Sequence, residues 1–328
     1  MRTIDWVDGA VEIIDQTALP GVTRVLRLST VEDLVGAIRR LAVRGAPALG
    51  VAGALGVALA ARQHPAGPVR SLAVAAVRAA RPTAVNLARS ADRAAARLAG
   101  GADATLTEAL RVRDEEIASS AAQGRLGADL LTELCGPAPR LLTHCNTGAL
   151  AAVVGGTALA DVVELHRRGR LGGLVASETR PLLQGARLTA WELRQLGIPF
   201  RLAIDSAGPF LMARGEVDAV IVGADRICAN GDVINKIGTY AHALGARRAG
   251  LPFVVVAPET TVDSLTREGA AVEIEDRGAA EVVRFHDVQV APDGVEVVNP
   301  AFDVTPADLV TAIVTDRRVV RLDKGDAV

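Results

Sequence analysis

The chain has 328 residues, 50% hydrophobic but only 2% aromatic, with a formal charge of -2 and a pI near 6.2. This near-neutral balance, without a lysine or arginine block, excludes a nucleic-acid-binding surface, and the length predicts two domains with cores of Ala, Val and Leu. The cysteines, Cys135, Cys145 and Cys228, have no metal-ligand spacing and form no even set, so neither a metal site nor a disulfide framework is expected.

The amino terminus, MRTIDWVDGAVEIID, carries acids early and lacks an apolar leader segment, which predicts a cytoplasmic protein. Short strands are expected at Val11–Asp15 and Thr23–Leu28, with Leu19-Pro20-Gly21 as turn punctuation between them, forming a small β cap. Ser29-Thr30, followed by Glu32 and Asp33, opens a helix that runs to Arg40. From there to about residue 125, Ala, Leu and Arg dominate and predict helices, broken at His64–Pro68 and at Gly100-Gly101. The uncharged run Gly45–Ala61 is shorter than the ~20 residues of a membrane span and reads as a buried helix. Residues 1–125 are therefore expected to form the β cap and a helical domain.

After Gly124-Arg125, short apolar runs alternate with helical stretches. Strands are predicted at 140–144, 173–177, 200–204, 219–222 and 253–256, with helices around 148–168, 182–197, 207–215 and 235–250. That alternation predicts an α/β domain over 126–328, a Rossmann-like doubly wound parallel sheet.

Val43-Arg44-Gly45-Ala46-Pro47 opens a helix with Pro47 in its first turn, where a missing N–H costs nothing. The amides of Gly45 and Ala46 then lie at a positive helix end beside the Arg44 guanidinium, a receptor suited to phosphate. The plainer alternative is a surface arginine before a capped helix. Gly50, Gly53 and Gly56 suit tight helix packing and do not make a dinucleotide-binding fingerprint. Arg81, before Pro82 at another helix start, offers a second cation to the same anion.

Polar residues gather where the predicted strands end, the side of an open α/β sheet on which ligands bind. Cys145 follows the first of these strands near a helix start, a setting that favours thiolate, although most free cysteines are inert and buried. Its neighbour His144 faces the opposite side of the strand, as a structural histidine would. Gln184 follows the second strand and can hydrogen-bond sugar hydroxyls, and Asp205-Ser206-Ala207-Gly208 follows the third. Asp225 follows the buried run Val217–Val222, as a candidate acid or as a mere partner of Arg226. The loop beyond it leads into Asn235-Lys236.

The segments VRGAPALG, RPTAVNL, THCNTGALA, ETRPLLQGARLTAWEL, VGADRICANGDVINKIGT and NPAFDVTP, in this order from position 43 to 306, resemble the methylthioribose-1-phosphate isomerases, relatives of the regulatory subunits of translation initiation factor 2B. The resemblance implies a helical amino-terminal domain on a Rossmann-like domain, a homodimer, and no metal or redox cofactor. It implies conversion of 5-methylthio-D-ribose 1-phosphate into 5-methylthio-D-ribulose 1-phosphate, a step of methionine salvage. A catalytic cysteine falls on Cys145 and a general acid on Asp225. Substrate contacts fall on Arg44, Gly45, Ala46, Arg81, Gln184, Asn235 and Lys236. The alternatives are isomerisation of 5-deoxyribose 1-phosphate or ribose 1,5-bisphosphate, and a non-catalytic regulatory subunit. One segment departs from the family pattern, Gly208-Pro209-Phe210 replacing an Ala-Gly-His ending. If it meets the far end of the sugar, Phe210 lines an apolar pocket for the 5-substituent.

Overall fold

The computed structural model describes residues 2–82, 84–285 and 288–328. The cap is an antiparallel sheet of β1 (Ile4–Val7), β2 (Ala10–Ile14) and β3 (Val25–Leu28). Its first strand, absent from the sequence reading, pairs with β2 across Asp8-Gly9, whose φ angles of 44° and 85° suit a tight hairpin. Thr30 caps α1 (Val31–Arg39) reciprocally: its hydroxyl accepts from the Asp33 amide, and the Asp33 carboxylate accepts from the Thr30 amide.

Four helices follow, α2 (Ala46–Gln63), α3 (Pro68–Arg78), α4 (Val85–Ala95) and α5 (Gly101–Cys135). The first of them is the hub. Among the described residues it alone is long and apolar enough to cross a membrane, yet 83% of it is buried inside the protein, as in a core helix. A Cβ at Gly53 would lie 2.5 Å from the Leu87 carbonyl oxygen, so only glycine lets α4 approach this closely. Helix α5 runs unbroken through residues 125–126, packing first on α2 and then on the carboxyl-terminal half.

Beyond it come β4 (Arg140–Thr143), α6 (Ala158–Arg167), β5 (Gly173–Ser177), α7 (Ala190–Gln195), β6 (Arg201–Ala203), α8 (Ala207–Ala213) and β7 (Ala219–Val222). Next are β8 (Arg226–Cys228), β9 (Val233–Lys236), α9 (Thr239–Ala249), β10 (Phe253–Val256) and β11 (Val262–Asp263). The chain closes with β12 (Arg284–Phe285), β13 (Val288–Gln289), β14 (Phe302–Thr305), β15 (Ala312–Val314) and β16 (Val319–Val320). The main sheet has the order β16-β15-β10-β7-β4-β5-β6, parallel except at β16. Its central strands β7 and β10 are buried at every position, which is why they read as uninterrupted apolar runs. The chain winds outward from β4 through β5 to β6, then crosses back to β7 and winds the other way. The switch point between β4 and β7 is where an open α/β sheet holds its ligand.

Three helix expectations change. The stretch 148–168 has a single 3-10 turn at Ala149–Ala151 and becomes α-helical only from Ala158, because Gly155 and Gly156, at φ 75° and 104°, turn the chain first. The stretch 182–197 begins with a π-helical turn, Gly185–Thr189, before α7. Asn235 and Lys236 belong to β9, in a second sheet of order β11-β8-β9-β14, and α9 starts only at Thr239. The partner that makes Asn235 a strand residue is Asp303, remote in sequence and invisible to local periodicity.

Candidate active site

At the switch point Cys145 lies just past β4 and Asp225 just past β7. A cleft opens there. Arg44, Gly45, Ala46, Arg81, Cys145, Gln184, Asp225, Asn235 and Lys236 all line it.

The amino terminus of α2 forms one wall. Gly45 caps it at φ 93°, and the first-turn amides have no carbonyl partner within the helix. A Cβ on Gly45 would lie 2.5 Å from the Ala151 carbonyl oxygen and 2.6 Å from its Cα, so this helix start is seated against backbone. Arg44 is buried rather than on the surface. Its Nε donates to Gln16 Oε1 (3.1 Å), Nη1 donates to the Asn146 carbonyl (3.3 Å), and Nη2 bonds to Asn146 Oδ1. Asn146 in turn donates to the buried carboxylate of Glu192 (2.7 Å). Burial pushes Glu192 up, while Asn146 and Arg44 pull it back.

Cys145 has φ 65°, a left-handed conformation costing a non-glycine residue roughly 1–2 kcal/mol. Two threonines hold it there. Its amide donates to Thr179 Oγ1 (2.9 Å), and its carbonyl accepts from Thr189 Oγ1 (2.7 Å). Below them, the Asp205 carboxylate accepts from the amides of Thr179 and Arg180, each at 2.7 Å. Burial pushes the Cys145 thiol up, outweighing the pull of Arg44 and Lys236. Burial thus works against the thiolate expected here, and the helix start expected just after Cys145 is absent, since the next α-helix along the chain begins only at Ala158. His144 is structural, as its side of the strand indicated. Its Nδ1 lies 2.5 Å from Ser177 Oγ and its Nε2 2.8 Å from the Ile237 carbonyl, and burial holds its pKa at about 4.

The Asp225 amide donates to the Ile234 carbonyl (2.9 Å). Burial pushes its carboxyl up, against the opposing pull of Lys236, Arg81 and Arg44. Its neighbour Arg226 turns to Asp263 (3.5 Å) instead. Lys236 Nζ donates to the Ala301 carbonyl (2.6 Å) and sits 4.7 Å above the Phe302 ring. Burial lowers its pKa, partly offset by Cys145 and Asp225. Asn235 Nδ2 donates to Thr239 Oγ1 (2.9 Å), and Arg81 stands 3.9 Å from Glu275. Gln184 lines the cleft, and its Oε1 is buried and without a hydrogen-bond partner among the described residues.

The sequence reading missed Arg277, Thr147, Thr157, Leu182 and Phe302, which also line the cleft. Arg277 is clamped by Glu281 (2.8 and 3.0 Å) and Glu275 (2.9 Å). Phe210 does not line the cleft. It is 61% exposed on α8, 5.6 Å from the Arg214 guanidinium, and the adjacent Gly208 packs on His242. The expected pocket at Gly208-Pro209-Phe210 is thus withdrawn, since that segment serves the contact of α8 with α9.

The chain is thus a doubly wound α/β protein with a buried acid, a buried thiol and a cationic helix end at its switch point. The sequence matches the initiation factor 2 subunit family over residues 42–321, and the chain belongs to that family. It is 54% identical to the methylthioribose-1-phosphate isomerase of Anaeromyxobacter sp. (strain K), with 95% of this chain and 91% of that protein covered. It is 49% identical to the 5-deoxyribose 1-phosphate isomerase of Moorella thermoacetica, covering 97% and 93%. It is 53% identical to a probable bifunctional methylthioribose-1-phosphate isomerase/methylthioribulose-1-phosphate dehydratase of Nocardia farcinica, where 98% of this chain spans only 60% of that longer protein. Among solved structures, the 5-methylthioribose 1-phosphate isomerase of Pyrococcus horikoshii OT3 superposes with a TM-score of 0.89 at 41% identity, covering 98% and 92%. Translation initiation factor eIF-2B subunit delta from A. fulgidus gives 0.84 at 42% identity, covering 98% and 96%.

Proposed function

We propose that this chain converts 5-methylthio-D-ribose 1-phosphate into 5-methylthio-D-ribulose 1-phosphate. The observation that carries the reading is the pairing of a buried carboxyl, Asp225, with a buried thiol, Cys145, in one cleft beside the cationic start of α2. In the substrate, phosphate occupies the anomeric oxygen, so the ring opens only if its oxygen receives a proton. Asp225, held protonated by burial, gives that proton as the C1–ring oxygen bond breaks. C1 is left as an oxocarbenium stabilised by its phosphorylated oxygen. Hydride then moves from C2 to C1, and the C2 hydroxyl proton returns to the Asp225 carboxylate, so atoms and charge balance. Cys145 remains a thiol and stabilises the positive charge of this transition state through its sulfur lone pairs. Arg44, Arg81, Lys236 and the amides of Gly45 and Ala46 hold the phosphate, and Gln184 and Asn235 bind the sugar hydroxyls.

The test is to incubate the purified protein in ordinary water with substrate deuterated at C2 and follow the product by NMR. The reading expects the ketose, with deuterium retained at C1. Absence of ketose contradicts isomerase activity and favours a non-catalytic subunit, whereas ketose with the label lost to water contradicts hydride transfer alone. The Moorella relative makes 5-deoxyribose 1-phosphate the second substrate to assay. We further assign a homodimer, supported by apolar residues exposed at and after edge strand β6 (Leu202, Ile204) and on α8 and α9 (Phe210, Tyr240, Leu244). Light scattering should return twice the mass of 33.9 kDa.

A further inference from the structure

A second chamber, of about 330 Å³, adjoins the cleft and shares Gly45, Ala46, Arg81, Asp225 and Phe302 with it. Cys145, Gln184 and Lys236 line only the cleft, whereas Leu49, Val85, Ile234 and Val272 line only the chamber. The chamber therefore opens on the acid and not on the thiol, and its own walls are mainly apolar.

This division maps onto the substrate. The oxygen that Asp225 protonates is bonded to C1 and to C4, and C4 carries C5 with its substituent. Cys145 addresses the C1–C2 end. A sugar seated with its ring oxygen at Asp225 and its C1–C2 bond at Cys145 directs C5 past Asp225, away from the thiol, into the chamber. Resting on the isomerase reading above, we propose that this chamber is the subsite for the 5-substituent, that it selects apolar groups, and that it takes S-alkyl chains longer than methyl.

Size and charge both favour this. The chamber far exceeds a methylthio group, and Val272 and Val85 are only half-buried, so a longer chain gains contact with them. A 5-phosphate fits poorly. The one cation confined to the chamber among its described lining residues, Arg226, is held by Asp263 (3.5 Å) and Thr266 Oγ1 (3.3 Å), and Glu273 adds a carboxylate. Arg81, on the shared wall, is the remaining cation and serves the 1-phosphate.

The experiment measures kcat/KM for the 5-deoxy, 5-methylthio and 5-isobutylthio ribose 1-phosphates and for ribose 1,5-bisphosphate. It uses the wild type, Val272→Asp and Val85→Asp, with circular dichroism checking that each variant is folded. In the wild type the isobutylthio sugar should be used within about threefold of the methylthio sugar, and the bisphosphate at least tenfold less well. In either folded variant the methylthio-to-deoxy ratio of kcat/KM should fall roughly tenfold, the discrimination a hydrophobic contact supplies. If the ratio stays within twofold of wild type in both variants, or the isobutylthio sugar falls a hundredfold below methylthio, the subsite is elsewhere. If the wild type turns over none of the sugars, the isomerase reading fails and this one falls with it.

Discussion

Replacing Gly45 by alanine probes the phosphate receptor without removing any charge. Gly45 sits at φ 93°, where an L side chain costs roughly 1–3 kcal/mol in backbone strain alone. The new Cβ would also lie 2.5 Å and 2.6 Å from Ala151 backbone atoms, closer than real Cβ contacts allow, so either α2 or the turn at 149–151 must move. A shift of about 1 Å in the donors at the start of α2 is enough to cost on the order of a hundredfold in kcat/KM. The assay is steady-state isomerisation together with the inhibition constant of inorganic phosphate, which reports the receptor apart from chemistry. Both should worsen, with KM and the phosphate constant rising by at least about tenfold. A folded Gly45→Ala protein whose KM and phosphate affinity stay within twofold of wild type would refute the assignment of phosphate to this helix end.

Arg44→Ala should raise KM by roughly ten- to a hundredfold, the worth of one charge-assisted hydrogen bond at about 1.5–3 kcal/mol, as read by initial rates. Asp205→Ala removes the acceptor of two amides behind Cys145, so kcat should drop at least tenfold with KM little changed. If instead KM alone moves, Asp205 does not position the thiol. The pH profile of kcat/KM should reflect the upward shift of Asp225. The carboxyl stays protonated above the ordinary carboxylate range, so the rate is preserved there and falls about tenfold per pH unit once pH passes the raised value. A rate that climbs through that window would mean that Asp225 works as a base.

How far the sequence reveals this site depends on distance along the chain. Cys145, Gln184 and Asp225 stand where a buried apolar run gives way to polar residues, a local signal that survives folding because strand ends at a switch point face the ligand. Arg44-Gly45-Ala46-Pro47 is likewise local, a helix start written in consecutive residues. Asn235 and Lys236 line the cleft but stand on a strand where local periodicity predicts a helix, because that strand pairs with β14 nearly seventy residues later. Arg277 carries no local sign at all: its segment is tied down by residues more than twenty positions away, through the Asp276–Pro300 bridge and the bond from the Arg277 amide to the Asn299 carbonyl. The support of Arg44 by Gln16 and Asn146, and of Asn146 by Glu192, joins four distant segments and is a property of the fold alone. Phe210 misled because a strand end followed by a polar residue was extended onto the next helix, whose exposed ring lies outside the cleft.

The most direct measurement is the rate of ketose formation by Asp225→Asn under substrate saturation, with substrate affinity measured separately by calorimetry. The amide keeps the shape of the carboxyl and cannot supply a proton to the ring oxygen. A general acid is worth about 10²–10⁴ in rate, so kcat should fall by at least a hundredfold while affinity stays within about tenfold of wild type. An Asp225→Asn protein retaining more than about a tenth of wild-type kcat would contradict the account.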